Sequence, residues 1–279
     1  MQIVNTIDTT RAACRAARHS VQRVGLVPTM GALHEGHLSL VRLAKAKGGF
    51  VVVSLFLNPL QFGPTEDLAK YPRTFERDCE LLERAGVDLL FAPTVAEMYP
   101  TPSAAYVNVE GLSERLDGQS RPGHFRGVTT VVSKLFHIVE PDLAVFGQKD
   151  AAQVAIIKRL VRDLNMPVEI VVGPIVREMD GLAMSSRNAY LNPEQRQQAL
   201  VLSKSLKRVQ EIFEASERSA AKLITGGLEV FRAEPAVRVD YFSVVDPESL
   251  EPVDTVTSRA LVAVAAYVGT TRLIDNALL

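Results

Sequence analysis

Residues 50–56 read Phe-Val-Val-Val-Ser-Leu-Phe, an unbroken β-favouring run with no polar face. Such a strand is covered on both sides, the environment of an inner strand in a parallel sheet. Comparable runs recur at Val24–Val27, Val87–Phe91, Asp142–Phe146 and Val168–Val172. Helical segments separate them. The first is capped by Asp8 or Thr9 and runs to about Ser20. The second continues the apolar spacing of Leu38, Val41 and Ala44 to about Lys47, where Gly48-Gly49 ends it. Further helices are predicted over Thr74–Ala85, along the stripe Val128, Val131, Val132, Leu135 and Val139, and up to about Asn165. The proline-rich Ala92–Ala104 reads as loop and Ala105–Val109 as a short strand. Strands alternating with helices predict an α/β fold, a parallel sheet with helices on both faces.

The pattern changes near Gly173–Val176. Val176–Tyr190 is polar and rich in turn residues. Asn192-Pro193-Glu194 opens a helix with Leu202, Leu206, Val209 and Phe213 on one face. A second helix spans about Glu217 to Phe231, weakened at Gly226-Gly227. Strands are predicted at Val237–Val245, Ala260–Val268 and Arg272–Asp275, the last two joined by a hairpin at Gly269-Thr270-Thr271. A length of 279 residues suits about two domains. The expected division is 1–175 for the parallel sheet and 176–279 for a smaller α+β unit.

Charge narrows the function. The net charge is −1 with acids and bases interspersed, so there is no basic footprint for nucleic acid. Cys14 and Cys79 are the only cysteines, too few for a disulfide framework or a thiolate metal cluster. The start, Met1-Gln2-Ile3-Val4-Asn5, lacks a signal-peptide pattern, and no apolar run reaches membrane-spanning length. A cytoplasmic protein with no membrane partner is the expectation.

The chemistry concentrates where predicted strands end. Pro28-Thr29-Met30-Gly31-Ala32-Leu33-His34-Glu35-Gly36-His37-Leu38 joins a strand to a helix start, the usual ligand position in an α/β sheet. Gly31 and Gly36 allow close backbone approach, and the helix start favours an anion such as phosphate. His34 and His37, three apart, share one face and are suited to donate to phosphate oxygens. Each histidine alone reads equally as a solvated side chain, and the glycines alone as a turn. A zinc pair is disfavoured, because the spacing is not His-Glu-x-x-His and no further ligand cluster follows. Asn58-Pro59-Leu60-Gln61-Phe62 ends the next strand, and Gln61 offers donors and an acceptor to a small polar substrate. Phe146-Gly147-Gln148-Lys149-Asp150, with Gln153 one turn on, ends another; Lys149 places a cation beside accumulating phosphate charge. Met184-Ser185-Ser186-Arg187-Asn188 supplies hydroxyls and a guanidinium suited to a triphosphate. In isolation the last three stretches read as a surface turn, a charged turn and a linker. Neither Gly-x-Gly-x-x-Gly nor the P-loop pattern occurs.

His34-Glu35-Gly36-His37 resembles the His-x-Gly-His motif of nucleotidyltransferases and class I aminoacyl-tRNA synthetases, and Met184–Arg187 resembles the second phosphate loop of those synthetases. The longer string Pro28–Leu38, together with Asn58–Phe62, Gly147–Asp150, Arg121-Pro122-Gly123-His124-Phe125 and Met184–Arg187, resembles the pantothenate synthetase (pantoate–β-alanine ligase) family. The resemblance implies a Rossmann-like parallel sheet domain and a second domain that closes over ATP. It implies a ligase that joins (R)-pantoate to β-alanine through pantoyl adenylate, releasing AMP and pyrophosphate, with Mg2+ accompanying ATP and a homodimer as the assembly. Carried over position by position, the ATP site is Met30, Gly31, Ala32, Leu33, His34, Glu35, Gly36, His37, Gly147, Gln148, Lys149, Asp150, Val176, Met184, Ser185, Ser186 and Arg187. Gln61 and Gln153 hold pantoate, and Gln61 also lies at β-alanine. His37, His34, Lys149 and Arg187 form the catalytic set, and Asp150 is the nearest acidic candidate for the metal. The family pattern Gly-Glu-Lys-Asp-x-Gln-Gln is broken here by Gln148 and Ala152. Arg121 and Tyr71 match family strings without an assigned role; Arg121 suits a carboxylate or a surface ion pair. Two rival readings are an adenylyltransferase acting on a phosphate and a silent nucleotide-binding regulator. The glutamine pair argues against the first and the intact His34, His37, Lys149 and Arg187 against the second.

Overall fold

The computed structural model describes every residue except Val21, Thr65 and Pro102. Strand β1 (Gln2–Val4), helix α1 (Ile7–His19), β2 (Val24–Thr29), α2 (Glu35–Lys47), β3 (Phe50–Leu55), α3 (Phe75–Arg84) and β4 (Leu89–Phe91) follow one another. Two short helices, α4 (Val95–Met98) and α5 (Asp117–Ser120), precede α6 (His124–Val139), β5 (Leu143–Gly147), α7 (Ala151–Asp163) and β6 (Glu169–Gly173). All six strands are parallel, in the order β1-β4-β3-β2-β5-β6.

Val51, Val52 and Val53 are each 0% exposed, as an inner strand without a polar face requires. Successive side chains point to opposite faces of the sheet. Val52 joins the core under α6 and α7 with Leu26, Phe91, Ala144 and Phe146. Val51 and Val53 join Val27, Leu90 and Val145 beneath α2 and α3, where Val41, Ala44 and Leu82 cover them. After β2 the chain passes to β3 on one side; after β5 it passes to β6 on the other. The strand order therefore reverses between β2 and β5, and the crevice at their carboxyl ends is where an open parallel sheet binds ligands.

The remainder forms α8 (Pro193–Glu214), α9 (Ala220–Phe231) and an antiparallel sheet of β7 (Val237–Val245), β8 (Leu261–Val268) and β9 (Thr271–Leu278). Asn192 caps α8 in reciprocal bonds with Gln195. Leu206, Val209, Leu223, Val262 and Val264 centre this second core. It is not sealed off from the first. Val245, Leu250, Leu261 and Ala263 belong to the apolar cluster of the parallel sheet. Arg272 bonds Asp117 (2.7 Å) and Asp240 (2.8 Å), tying β9 to α5 and β7. Among the described residues no helix is long and apolar enough to cross a membrane.

Several local expectations are corrected. Thr6, not Asp8 or Thr9, caps α1, accepting from the Thr9 N–H at 3.3 Å. Ala105–Val109 is not a strand. The Val107 N–H donates to Thr130 Oγ1 (3.0 Å) and its carbonyl accepts from Thr129 Oγ1 (2.6 Å), so side chains of α6 satisfy this backbone without a sheet neighbour. Within Ala92–Ala104, Thr94 caps α4, and Pro102 lies outside the described residues. Gly226 and Gly227 do not interrupt α9. A Cβ at either would run into Ile212 or the Phe242 ring, so their smallness lets α9 lie close to α8 and β7. The hairpin turns on Gly269-Thr270, with Thr271 already paired to Val268, and β9 continues three residues past Asp275.

Candidate active site

The loop after β2 is built around a buried carboxylate. Asp78, on α3, accepts from the N–H groups of Leu33 (Oδ1) and Ala32 (Oδ2), each at 2.9 Å. Gly31 and Ala32 both take positive φ, +87° and +52°. Helix α2 then starts with His34 as its capping residue. The His34 Nδ1 accepts the Gly36 N–H (3.2 Å), and the His37 Nδ1 accepts the His34 N–H (3.3 Å). A Cβ on Gly36 would sit 2.8 Å from His34 Cε1, so this ring position needs glycine. The ring centroids are 4.1 Å apart.

An imidazole nitrogen that accepts a backbone N–H carries no proton, so each ring presents Nε2–H as its donor. Burial lowers the His34 pKa to about 4, with the Lys149 charge adding to the effect. Burial, and then His34, lowers His37 to about 3. Both rings are neutral near pH 7. One expectation changes accordingly. The helix start is not a set of free N–H groups, because the His34 ring occupies the Gly36 N–H and the His34 carbonyl accepts those of His37 and Leu38. An anion here meets Nε2–H donors.

Gln61 ends a 3₁₀ turn capped by Asn58 and is buried. Its amide is held between Asn58 Nδ2 (3.2 Å from Oε1) and Met30 Sδ (3.0 Å from Nε2), which joins the second motif to the first. Its carbonyl accepts from His124 Nδ1 at 2.8 Å. Arg121 must be the donor in its 3.0 Å contact with His124 Nε2, which leaves the proton on Nδ1. Burial and the Arg121 charge lower His124 to about 4.

Gln148–Asp150 form a 3₁₀ turn after β5. The Lys149 ammonium lies 3.6 Å from Asp150 Oδ1 and near enough to His34 to depress its pKa. The Gln148 side chain turns away to β9, donating to Asn276 Oδ1 (3.0 Å), and its carbonyl accepts from Asn276 Nδ2 (2.9 Å), so what it can offer a ligand of the loop is its backbone N–H. The fourth stretch reaches the first directly. Ser186 Oγ donates to the Ala32 carbonyl (3.0 Å), and Met184 Cβ would be 3.7 Å from a Cβ on Gly36. The Val176 carbonyl accepts the Met184 N–H (3.0 Å), and Ser185 Oγ accepts the Arg187 N–H (3.3 Å). Arg187 bonds Asp67 at two points, and Arg121 bonds Glu66 likewise.

Lys149, Asp150, Gln153, Ser185 and Arg187 line a cleft of about 830 Å³. His34, His37 and Gln61 are not on its wall; Ser186 and Lys149 connect it to their loop. Arg121 is a wall residue, yet its donors are taken by Glu66 and His124, which favours the ion-pair reading of that residue. Sequence reasoning missed Asp78, His124, Glu66 and Asp67. A signal existed for Asp78 alone: it shares the apolar stripe of α3 with Leu82, where an acid is out of place. Among the described residues no group of three His, Cys, Asp or Glu side chains converges to hold a metal.

Known proteins resemble this chain along nearly its whole length. The family described as pantoate-beta-alanine ligase matches residues 2–278. The pantothenate synthetase of Koribacter versatilis is 58% identical over 279 residues, covering all of this chain and 96% of that one. That of Acidobacterium capsulatum is 59% identical over 290 residues, covering all of this chain and 97% of its own. Pantothenate synthetase from Thermus thermophilus superposes with a TM-score of 0.94 at 49% identity, over 99% of both chains. Pantoate-beta-alanine ligase from Francisella tularensis, solved in complex with beta-gamma ATP and beta-alanine, gives 0.78 at 32% identity, over all of this chain and 97% of its own.

Proposed function

Because this chain belongs to the pantoate-beta-alanine ligase family, we propose that the crevice between β2 and β5, with the cleft beside it, is the active site of that ligase. The enzyme condenses pantoate with β-alanine at the expense of ATP. The observation that carries the residue assignment is the paired capping of α2. Two neutral imidazoles are held by backbone N–H groups so that both Nε2–H donors are free.

A carboxylate is a poor acyl donor because its oxygen is a poor leaving group. A pantoate carboxylate oxygen attacks the α-phosphorus of ATP; the bond to the bridging oxygen breaks and pyrophosphate departs. The β-alanine nitrogen then attacks the acyl carbon, loses a proton to solvent, and expels AMP. Catalysis is mainly positioning and stabilisation of phosphate charge. His34 and His37 donate from Nε2 to the transferring phosphoryl group, and Lys149 supplies the cation. Backbone of 30–37, 147–150 and Val176, with Met184, Ser185, Ser186 and Arg187, holds the nucleotide. Gln61 and Gln153 hold pantoate, and β-alanine enters beside Gln61. Mg2+ accompanying ATP would offset the charge of the triphosphate. Asp150, a carboxylate on the cleft wall paired only loosely with Lys149, fits as its protein neighbour. Residues 1–175 form the substrate domain and 176–279 the domain that closes over ATP. The assembly is a cytoplasmic homodimer, to be checked by sedimentation and by locating the tagged chain in cells.

The decisive experiment follows oxygen. Enzyme, MgATP and pantoate labelled with heavy oxygen in its carboxylate, followed by β-alanine, should place one labelled oxygen in AMP. Label in inorganic phosphate, with ADP as product, would overturn the adenylate mechanism.

A further inference from the structure

Helix α3 carries none of the motifs of the site, yet Asp78 contributes a carboxylate, 1% exposed, to the histidine loop. Both its oxygens are used. Oδ2 accepts the Ala32 N–H and Oδ1 the Leu33 N–H, each at 2.9 Å, and Thr74 Oγ1 donates to Oδ1 at 3.1 Å. The loop it grips is bent against its preference. Gly31 and Ala32 are consecutive residues with positive φ, and Ala32 is not a glycine, so this shape must be held from outside. The approach is close: a Cβ on Gly31 would lie 3.2 Å from Asp78 Oδ2, so a side chain at 31 would crowd the carboxylate. The Ala32 carbonyl, turned the other way, accepts Ser186 Oγ, so the residue that Asp78 orients also carries the contact to the Met184–Arg187 loop. His34 follows Leu33 directly and caps α2.

We infer that Asp78 is a positioning residue for adenylyl transfer: its carboxylate sets the Gly31–Leu33 backbone, and through it the seats of His34 and Ser186 on the nucleotide. The inference rests on the ATP-site reading above. Asp78 itself touches no substrate; its effect is on how well ATP and the phosphoryl donors are aligned.

The test is Asp78→Asn, assayed by steady-state kinetics and by calorimetric titration with MgATP. A carboxamide can accept only one of the two loop N–H groups and turns an NH2 toward the other, so the grip is half lost. The KM and Kd for ATP should rise about tenfold and kcat should fall about tenfold, while KM for pantoate and for β-alanine changes less than about twofold. A merely structural role would lower the active fraction and the melting temperature without separating ATP from the other two substrates. Should Asp78→Asn not fold, Thr74→Val decides: it keeps the carboxylate, removes one donor from Oδ1, and should weaken ATP binding about threefold. An unchanged Kd for ATP in folded Asp78→Asn, or in Thr74→Val when that variant decides, overturns the inference. If the wild-type enzyme makes no pantothenate but Asp78→Asn still loses ATP affinity, the functional reading fails and the positioning role stands.

Discussion

Arg187 and Asp67, 120 residues apart, meet in a two-point ion pair: Nε to Oδ2 at 2.8 Å and Nη2 to Oδ1 at 2.8 Å. The guanidinium also lies 5.8 Å from the centre of the Tyr71 ring. Planar two-point recognition is the way arginine holds phosphate as well as carboxylate. On the proposed ATP site, Asp67 occupies two of the donors assigned to the triphosphate, and ATP would have to replace it.

Neutralising that competitor should favour the nucleotide. Asp67→Asn is expected to tighten MgATP binding by about threefold to tenfold, because an exchanged ion pair at a partly exposed site is worth little. Calorimetric titration reads this directly. Weaker binding in the variant would mean that Asp67 supports the nucleotide site instead of competing for it.

On the same reading, this arginine would link ATP to the second domain. Added ATP should slow proteolytic nicking between residues 176 and 192, and Arg187→Ala should abolish that protection, since the loop then loses its cationic contact to phosphate. Equal protection in the variant would show that the loop does not sense nucleotide.

His34 has two separable duties, capping α2 and presenting Nε2–H. His34→Asn keeps a good cap but loses the outward donor. Its melting temperature should stay close to wild type while turnover drops about a hundredfold. His37→Ala should lose turnover to a similar extent. Near-normal turnover in both variants would remove the imidazoles from the mechanism.

Protonation offers a separate check. His34, His37 and His124 titrate near 4, 3 and 4 in the folded chain, below the ordinary value of about 6.5. On acidification the unfolded chain takes up these protons first. Their stabilising contribution is thus fully present above about pH 6.5 and declines as pH falls through 6.5 toward about 4 for His34 and His124 and about 3 for His37. Denaturant unfolding at pH 7.5 and pH 5 should give the lower stability at pH 5, and the ring signals of His34 and His37 should remain those of neutral imidazole at pH 5.5. A midpoint near 6.5 for either ring contradicts the buried, capped geometry.

Substrate assignment can be divided by binding measurements. Gln61→Ala and Gln153→Ala should each weaken pantoate by about tenfold and ATP by less than about twofold, the loss expected when a polar group of the substrate is left unpaired. An equal loss for ATP would remove the division between the two subsites.

Much of what depends on near neighbours in the chain was legible beforehand. The apolar run at Phe50, the alternation of strands with helices, the Asn192 cap and the placing of four motifs at strand or loop ends all follow from periodicity and local bonding. The neutral, Nε2-protonated state of His34 and His37 was only half legible, since their spacing was visible but their mutual capping was not. Ala105–Val109 misled because its β-favouring residues find their partners on α6, and β1 is too short to carry a pattern.

What the sequence determined by itself is the class of sheet, the approximate extent of its elements and the chemical kinds of residue offered at the site, because each is written in contacts a few positions apart. Tertiary structure alone decided that Asp78 grips the Ala32 and Leu33 peptides, that Asp67 rather than solvent meets Arg187, that Gln148 faces Asn276, and that Gly226 and Gly227 serve close packing. Those outcomes pair groups from 14 to 128 residues apart. A buried carboxylate or guanidinium must find some partner, and which one it finds is set by the approach of elements in space, which no local pattern encodes.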